Sequence, residues 1–165
     1  MGIVSGLIPA LERQAELYLR LGGLLDEEEE ALVTLSLDEI RRITHEKDTL
    51  LLKIKVVDET RLRIIAPLAS ELGRPTSEVT ARDILGAASP AHRADLDRVI
   101  AKLEKAASAV LEKNRRNDRL LASSQAAMQE SYALLAALAG GGVTYGADGS
   151  LAARSRAGAV VAREA

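Results

Sequence analysis

Ser36-Leu37-Asp38-Glu39-Ile40-Arg41-Arg42-Ile43-Thr44-His45-Glu46-Lys47-Asp48-Thr49-Leu50-Leu51-Leu52-Lys53-Ile54 opens the stretch whose reading decides the fold. From Ile40 a seam runs through Ile43, Lys47, Leu50, Ile54, Val57, Arg61, Ile64 and Leu68, alternating steps of three and four without interruption. A repeat of that period marks one face of a helix packed against other helices. Ser36 and Glu39 have the spacing of a capping box, and Asp38 and Glu39 place negative charge in the first turn, so the helix starts here. Lys47 and Arg61 can lay their stems along the seam with the charges in water, or fix register. Pro67 lacks an amide donor and crowds the carbonyl four residues back, which predicts a kink in the last turn. Gly73 followed by Pro75 ends the helix.

Working outward, Leu7, Leu11, Tyr18, Leu21, Leu25 and Leu32 form an apolar stripe upstream, predicting a first helix capped by Ser5, with Pro9 early in it, and ending near Val33. Gly22-Gly23 weakens its middle by on the order of 1 kcal/mol per glycine and allows a bend or a close helix approach. Downstream, Thr80 and Asp83 have capping-box spacing and start a short helix through Leu85. Ser89-Pro90 opens the longest segment, with a stripe through Leu96, Val99, Leu103, Ala106, Val110, Asn114, Asn117, Leu121, Ser124, Met128, Ser131, Leu135 and Leu138. If continuous to Ala139, this helix has about 50 residues and a length of roughly 75 Å. Its second half carries a thin seam. The expectation is an all-α chain, an elongated antiparallel bundle or hairpin of three long helices plus a short one. It spans residues 1–139 and is followed by a flexible tail over residues 140–165. No strand pattern competes.

The composition agrees. Of 165 residues 47% are hydrophobic, yet Phe, Trp and Cys are absent, so the core is built from Leu, Ile, Val and Ala. Such a core favours helices joined through narrow aliphatic seams. A formal net charge of -2 argues for neither nucleic acid nor an anionic membrane as partner. Without cysteine there is no disulfide, no thiolate metal site and no cysteine nucleophile, which fits a reducing compartment. Residues 1–10 lack the basic start and long apolar run of a secretory signal, and no stretch approaches the roughly 20 apolar residues of a membrane span. The chain reads as soluble and cytoplasmic.

Catalytic and metal chemistry finds no residue set. His45 and His92 belong to no E-x-x-H or H-E-x-x-H pairing, so a helix-borne metal site is not signalled. The run Asp26-Glu27-Glu28-Glu29-Glu30 reads as a solvated helix face, because adjacent carboxylates on a helix diverge. No phosphate-binding glycine loop and no nucleophile elbow occurs. No cofactor is expected, and the chain reads as a non-enzyme. Residues 68–84 superficially resemble a DNA-binding helix-turn-helix, but Pro75, Glu78 and Asp83 would face the groove where phosphate contacts need Lys or Arg.

Interaction chemistry is better supported. Tyr145 is one of only three aromatic residues and stands in the glycine-rich segment Gly140 to Gly149, too weakly apolar to build a core, so it reads as a contact for a partner. Asn114 and Asn117 put two amides on the seam of the last helix. Two explanations stay open: fixing register in a coiled coil, including a self-associating one, or lining a partly polar groove for an incoming amphipathic helix. The small residues of Ala122-Ser123-Ser124-Gln125-Ala126-Ala127 leave room, and Met128 adapts to varied partners. Val110, Asn114, Asn117, Leu121, Ser124 and Met128 are the groove candidates.

Three segments in order, residues 43–51 (Ile43 to Leu51), residues 114–121 (Asn114-Arg115-Arg116-Asn117-Asp118-Arg119-Leu120-Leu121) and Thr144-Tyr145-Gly146-Ala147-Asp148-Gly149, resemble FlgN-type flagellar export chaperones, and the likeness covers Leu7 to Gly149. The resemblance implies a helical hairpin or bundle that binds the C-terminal helical ends of the hook-associated proteins FlgK and FlgL, prevents premature assembly and delivers them to the type III export gate. It also implies that Tyr145 docks on the cytoplasmic domain of the gate protein FlhA, that Asn114 and Asn117 match the family's asparagine pair, and that the client lies along the last helix. The other readings are a helix-turn-helix regulator and a structural coiled coil that partners only itself.

Overall fold

The computed structural model describes residues 3–138, 143–145 and 151–153. Its helices are α1 (Ile3–Val33), α2 (Leu37–Glu71), α3 (Ala81–Ala87) and α4 (Pro90–Leu138), with a 3-10 turn at Thr76–Glu78 between α2 and α3. Two short strands follow, β1 (Val143–Tyr145) and β2 (Leu151–Ala153). Three long helices and one short one are the expected set. The chain divides into two compact units, Met1–Leu120 and Leu121–Ala165.

In the first unit α1, α2 and α4 run alternately up, down and up. Gln14 meets Asp58 and Glu28 meets Lys47, which makes α1 and α2 antiparallel, while Gly22 meets Lys113 and Leu25 meets Asn117, which makes α1 and α4 parallel. α1 therefore packs on two sides. Its buried face includes Ala15, Leu17 and Leu24 beside the expected Leu7, Leu11, Leu21, Leu25 and Leu32, a wider face than one stripe describes.

Two apolar clusters make the core. The first joins Val4, Leu7 and Leu11 of α1 to Ile65 and Leu68 of α2, Ile84 of α3 and Leu96 and Val99 of α4. The second joins Leu17, Leu21, Leu24 and Leu25 of α1 to Ile43, Leu50 and Ile54 of α2, with Tyr18 and Val110 packed against it. Between them in sequence lies a polar level. Gln14 Nε2 donates to Asp58 Oδ1 at 3.4 Å, and Arg61 makes two bonds to the same carboxylate oxygen at 3.1 and 2.7 Å. Gln14 is buried and its Oε1 has no hydrogen-bond partner among the described residues.

Several local expectations need correction. α1 already includes Ile3, so Ser5 lies within the helix and not at its cap, and Pro9 is internal. Burial of Val4 and Leu7 against the first cluster carries the helix upstream of the local signal. Ser36 is the N-cap of α2 in extended conformation but makes no side-chain cap bond. Glu39 is engaged by Arg42 instead, at 3.0 and 2.9 Å, a charge-assisted pair that outcompetes the backbone amide. The α2 seam follows Ile43, Leu50 and Ile54, then shifts by one residue to Ile65 and Ala69 while keeping Leu68. A straight α-helix drifts by about 20° per heptad against a 3.5-residue repeat, which accounts for the shift.

The helix ends differ in chemistry. α2 stops as expected at Gly73 (φ 64), where the Arg74 amide bonds to the Ala69 carbonyl at 3.0 Å and the Gly73 amide to Ser70 at 3.1 Å. α1 stops by the same bond pattern, Ser36 amide to Ala31 carbonyl at 3.0 Å, but the left-handed position is Leu35 (φ 53). A leucine there costs roughly 1 kcal/mol or more, and its side chain is exposed. The capping box of α3 forms in full, with the Asp83 amide donating to Thr80 Oγ1 at 3.2 Å and the Thr80 amide to Asp83 Oδ2 at 2.9 Å.

In the second unit β1 and β2 pair antiparallel in the register Val143↔Ala153, Thr144↔Ala152 and Tyr145↔Leu151. The sequence reading anticipated no strand in this region. Three residues are too few for a period-two pattern to register, although Val143-Thr144-Tyr145 has strand-forming chemistry. The expected boundary between Ala139 and Gly140, and the rest of the expected flexible tail, lie outside the described residues.

Candidate functional site

Two polar seam residues, Lys47 of α2 and Asn117 of α4, turn toward α1. Successive residues of an α-helix point about 100° apart, so the run Asp26 to Glu30 fans its carboxylates toward both neighbouring helices. Lys113 Nζ donates to Asp26 at 2.6 Å, Arg42 to Glu27 at 2.7 Å, Lys47 to both oxygens of Glu28 at 2.8 and 2.9 Å, and Arg116 pairs with Glu29 at 2.6 Å. The expected solvated face is thus a clamp across three helices. Divergence of the carboxylates holds as read, but those of Asp26, Glu27, Glu28 and Glu29 each meet a cation of α2 or α4, while Glu30 stays exposed. Glu28 and Lys47 have side chains only 15% and 20% exposed, which makes theirs the least hydrated of these pairs. Three carboxylates, Glu27 first, then Glu39 and Glu46, hold the Arg42 guanidinium further above its usual range.

Asn117 completes this level from α4. It is 3% exposed, and its Nδ2 donates to the Leu25 carbonyl at 2.8 Å and to Glu28 Oε2 at 3.0 Å. Its Oδ1 is buried without a protein partner. Asn114, three residues earlier, is exposed, and its Nδ2 reaches only Asp118 of the same helix at 3.3 Å. One asparagine is bonded to α1, and the other faces outward. Val110 is half-buried against the second cluster. Next to it α1 and α4 approach closely at Gly22, where an added Cβ would stand 3.9 Å from Val110 Cγ2 and 3.7 Å from Lys113 Nζ. Lys113 also donates to the Gly22 carbonyl at 3.1 Å. Lys47 and Asn117, each a polar residue on an otherwise apolar seam, were the signal that α1 must supply charge opposite them.

In the second unit the candidates Leu121 and Met128 are exposed by 46% and 55%, and Ser124 is half-buried. Tyr132 and Leu135 extend the same face at 58% and 61%. Sequence reasoning passed over Tyr132, although it follows Met128 by one helical turn. The stripe Leu121, Ser124, Met128, Tyr132 and Leu135 presents apolar side chains on one helix face. Tyr145 stands in β1 opposite Leu151.

Other candidates resolve differently. His45 lies on exposed α2 surface, beside a small cavity shared with Arg20 and Lys53, and His92 Nδ1 lies 2.9 Å from Ser89 Oγ in the first turn of α4. Among the described residues no group of three or more His, Asp or Glu could hold a metal ion. The helix-turn-helix look-alike is the end cap of the bundle. Ile84 is buried and Val79 and Leu85 pack on the first cluster, while Asp83 is spent on the cap and lies 3.6 Å from Arg74. The Thr80 amide, and then its hydroxyl, hold the Asp83 carboxyl below the usual carboxylate range. No described helix is long and apolar enough to cross a membrane.

No curated protein and no solved structure matches the chain. A family model described as FlgN protein matches residues 1–153, a span that takes in all four helices and both strands. With its all-helical bundle and that match, the chain belongs to the FlgN family of flagellar export chaperones.

Proposed function

We propose that the protein is a cytoplasmic flagellar export chaperone that binds the C-terminal helical ends of the hook-associated proteins FlgK and FlgL, prevents their premature assembly and delivers them to the export gate. Family membership supports the chaperone class. The observation that carries the client reading is the exposed stripe Leu121, Met128, Tyr132 and Leu135. An amphipathic helix that has no assembly partner yet carries a stripe of its own, and laying one against the other buries both. Met128 adapts to more than one client, and Asn114 and Ser124 supply polar contacts. Val110 and Asn117, engaged inside the bundle, serve by holding α4 in place. Tyr145 docks on the cytoplasmic domain of FlhA, and one chain that holds client and gate together raises the effective concentration of each for the other. The reading involves no catalysis and no cofactor.

Titration calorimetry with a C-terminal FlgK helix peptide tests the client site. Wild type and Tyr145→Ala are expected to bind with a negative heat-capacity change, and Met128→Asp with Leu135→Asp to weaken binding by about tenfold or more at an unchanged unfolding midpoint. The reading is overturned if wild type does not bind or if the double variant binds like wild type. A stable oligomer that ignores the peptide would assign the stripe to a second copy of the chain.

A further inference from the structure

The α1–α2 seam does not pair its charges along its whole length. Near the α1–α2 turn opposite charges meet, Glu27 with Arg42 and Glu28 with Lys47. Further along, Arg20 of α1 and His45 and Lys53 of α2 line one cavity of about 90 Å³, together with Glu46, Thr49 and the buried Leu50. Arg20 and Lys53 form no ion pair among the described residues. Glu16, the carboxylate one turn before Arg20, is taken by Arg13 at 3.0 Å. Glu46 supplies the one carboxylate among the lining residues, and Arg42 holds it at 2.6 Å. The Thr49 hydroxyl donates to the His45 carbonyl at 3.1 Å. Two facing helices therefore bring like charges to one opening, an arrangement that a bound anion stabilises.

We propose that this cavity is a binding site for a phosphate group. Arg20 and Lys53 set two positive charges against the nearly double negative charge of phosphate at neutral pH, whereas a carboxylate would leave one cation unmatched. The guanidinium presents a planar fork to two phosphate oxygens, and the ammonium acts as a point charge. His45 adds a ring N–H, which an imidazole carries in either neutral tautomer and when protonated. Leu50, the buried member of the lining, adds apolar surface that strengthens the attraction. The volume lies well below the roughly 300 Å³ at which sites for whole small molecules begin, so the cavity admits the phosphate group alone. Inorganic phosphate and a phosphoryl group carried on a larger molecule share that chemistry.

Proton magnetic resonance of the full-length chain tests this. The chain has two histidines, His45 in the cavity and His92 outside it, so their ring signals give a probe and an internal control. Inorganic phosphate replaces chloride at constant pH and ionic strength, with the signals assigned through His92→Gln. The His45 signal is expected to move along a saturating curve while that of His92 stays in place. Arg20→Gln and Lys53→Gln are each expected to raise the dissociation constant by about tenfold or more, and Lys55→Gln, outside the cavity, to change it by less than about twofold. All three side chains are exposed, so the variants keep the helical packing, which far-ultraviolet dichroism checks. Glycerol phosphate separates the sources. Tighter binding than inorganic phosphate at the same signal assigns the site to a carried phosphoryl group, and binding no tighter assigns it to the free ion. The site is refuted if the His45 signal does not saturate in wild type, if His92 follows the same curve, or if Arg20→Gln and Lys53→Gln titrate like wild type.

Discussion

The parts of α4 before and after Leu120 share one helical spacing and differ in cover. In the earlier part Leu96, Val99 and Ala106 are buried and Asn117 directs its amide to α1. From Leu121 to Leu135 every residue is exposed except the half-buried Ser124. α4 has 49 residues against 31 in α1 and 35 in α2, so no other described helix matches its length. Periodicity reports which residues share a face. Whether that face is covered depends on how much partner helix exists, and for the second stretch the proposed partner is another protein.

The sharpest break of this contrast is a pair of truncations. Leu96→Ala should cost about 2–5 kcal/mol of unfolding free energy, because Leu96 is fully buried in the first cluster, while Leu135→Ala should stay within about 0.5 kcal/mol. Urea unfolding reads both, and equal losses would mean that the later stretch is covered in the free chain. A smaller effect separates the two asparagines. Asn117→Ala deprives the Leu25 carbonyl and Glu28 of a donor and should cost about 1–3 kcal/mol, whereas Asn114→Ala should change thermal stability by about 0.5 kcal/mol or less. Comparable losses would undo the inward and outward assignment. The smallest effect lies in the cap beneath the covered part. The folded carboxyl of Asp83 titrates below its unfolded value, so its contribution is full above the ordinary carboxylate range and is lost as pH falls through the lower folded value. Asp83→Asn should therefore flatten the acid limb of the unfolding midpoint against pH, and an unchanged limb would remove the cap from the account.

Much of the frame was legible because its signals are local or periodic. Ser36 and Thr80 mark helix starts by position, Gly73 marks an end, and Ile43, Leu50, Ile54 and Leu68 are buried as their spacing implies. What escaped depends on neighbours. Leu17 and Leu24 are buried because α1 lies between two helices, a fact about α4 that the α1 sequence does not contain. The turn at Leu35 has no glycine to announce its left-handed residue. Asn114 and Asn117 carry the same chemistry on one stripe, and only the carboxylate of Glu28 and the carbonyl of Leu25 decide which turns inward. In the candidate site, Leu121 and Met128 were legible as a face, but their exposure was not, since uncovered and covered seams read alike.

The placement of the three tyrosines has a practical side. Tyr18 packs on the second core cluster, Tyr132 lies on the exposed face of α4, and Tyr145 stands in β1. With no tryptophan and no phenylalanine, all aromatic absorbance, near-ultraviolet dichroism and intrinsic emission of the chain come from these three rings. Replacing any two of them by leucine leaves a chain with a single optical reporter. The molecule thus carries one built-in probe for its scaffold and one for each of its two proposed contacts, readable without an added dye.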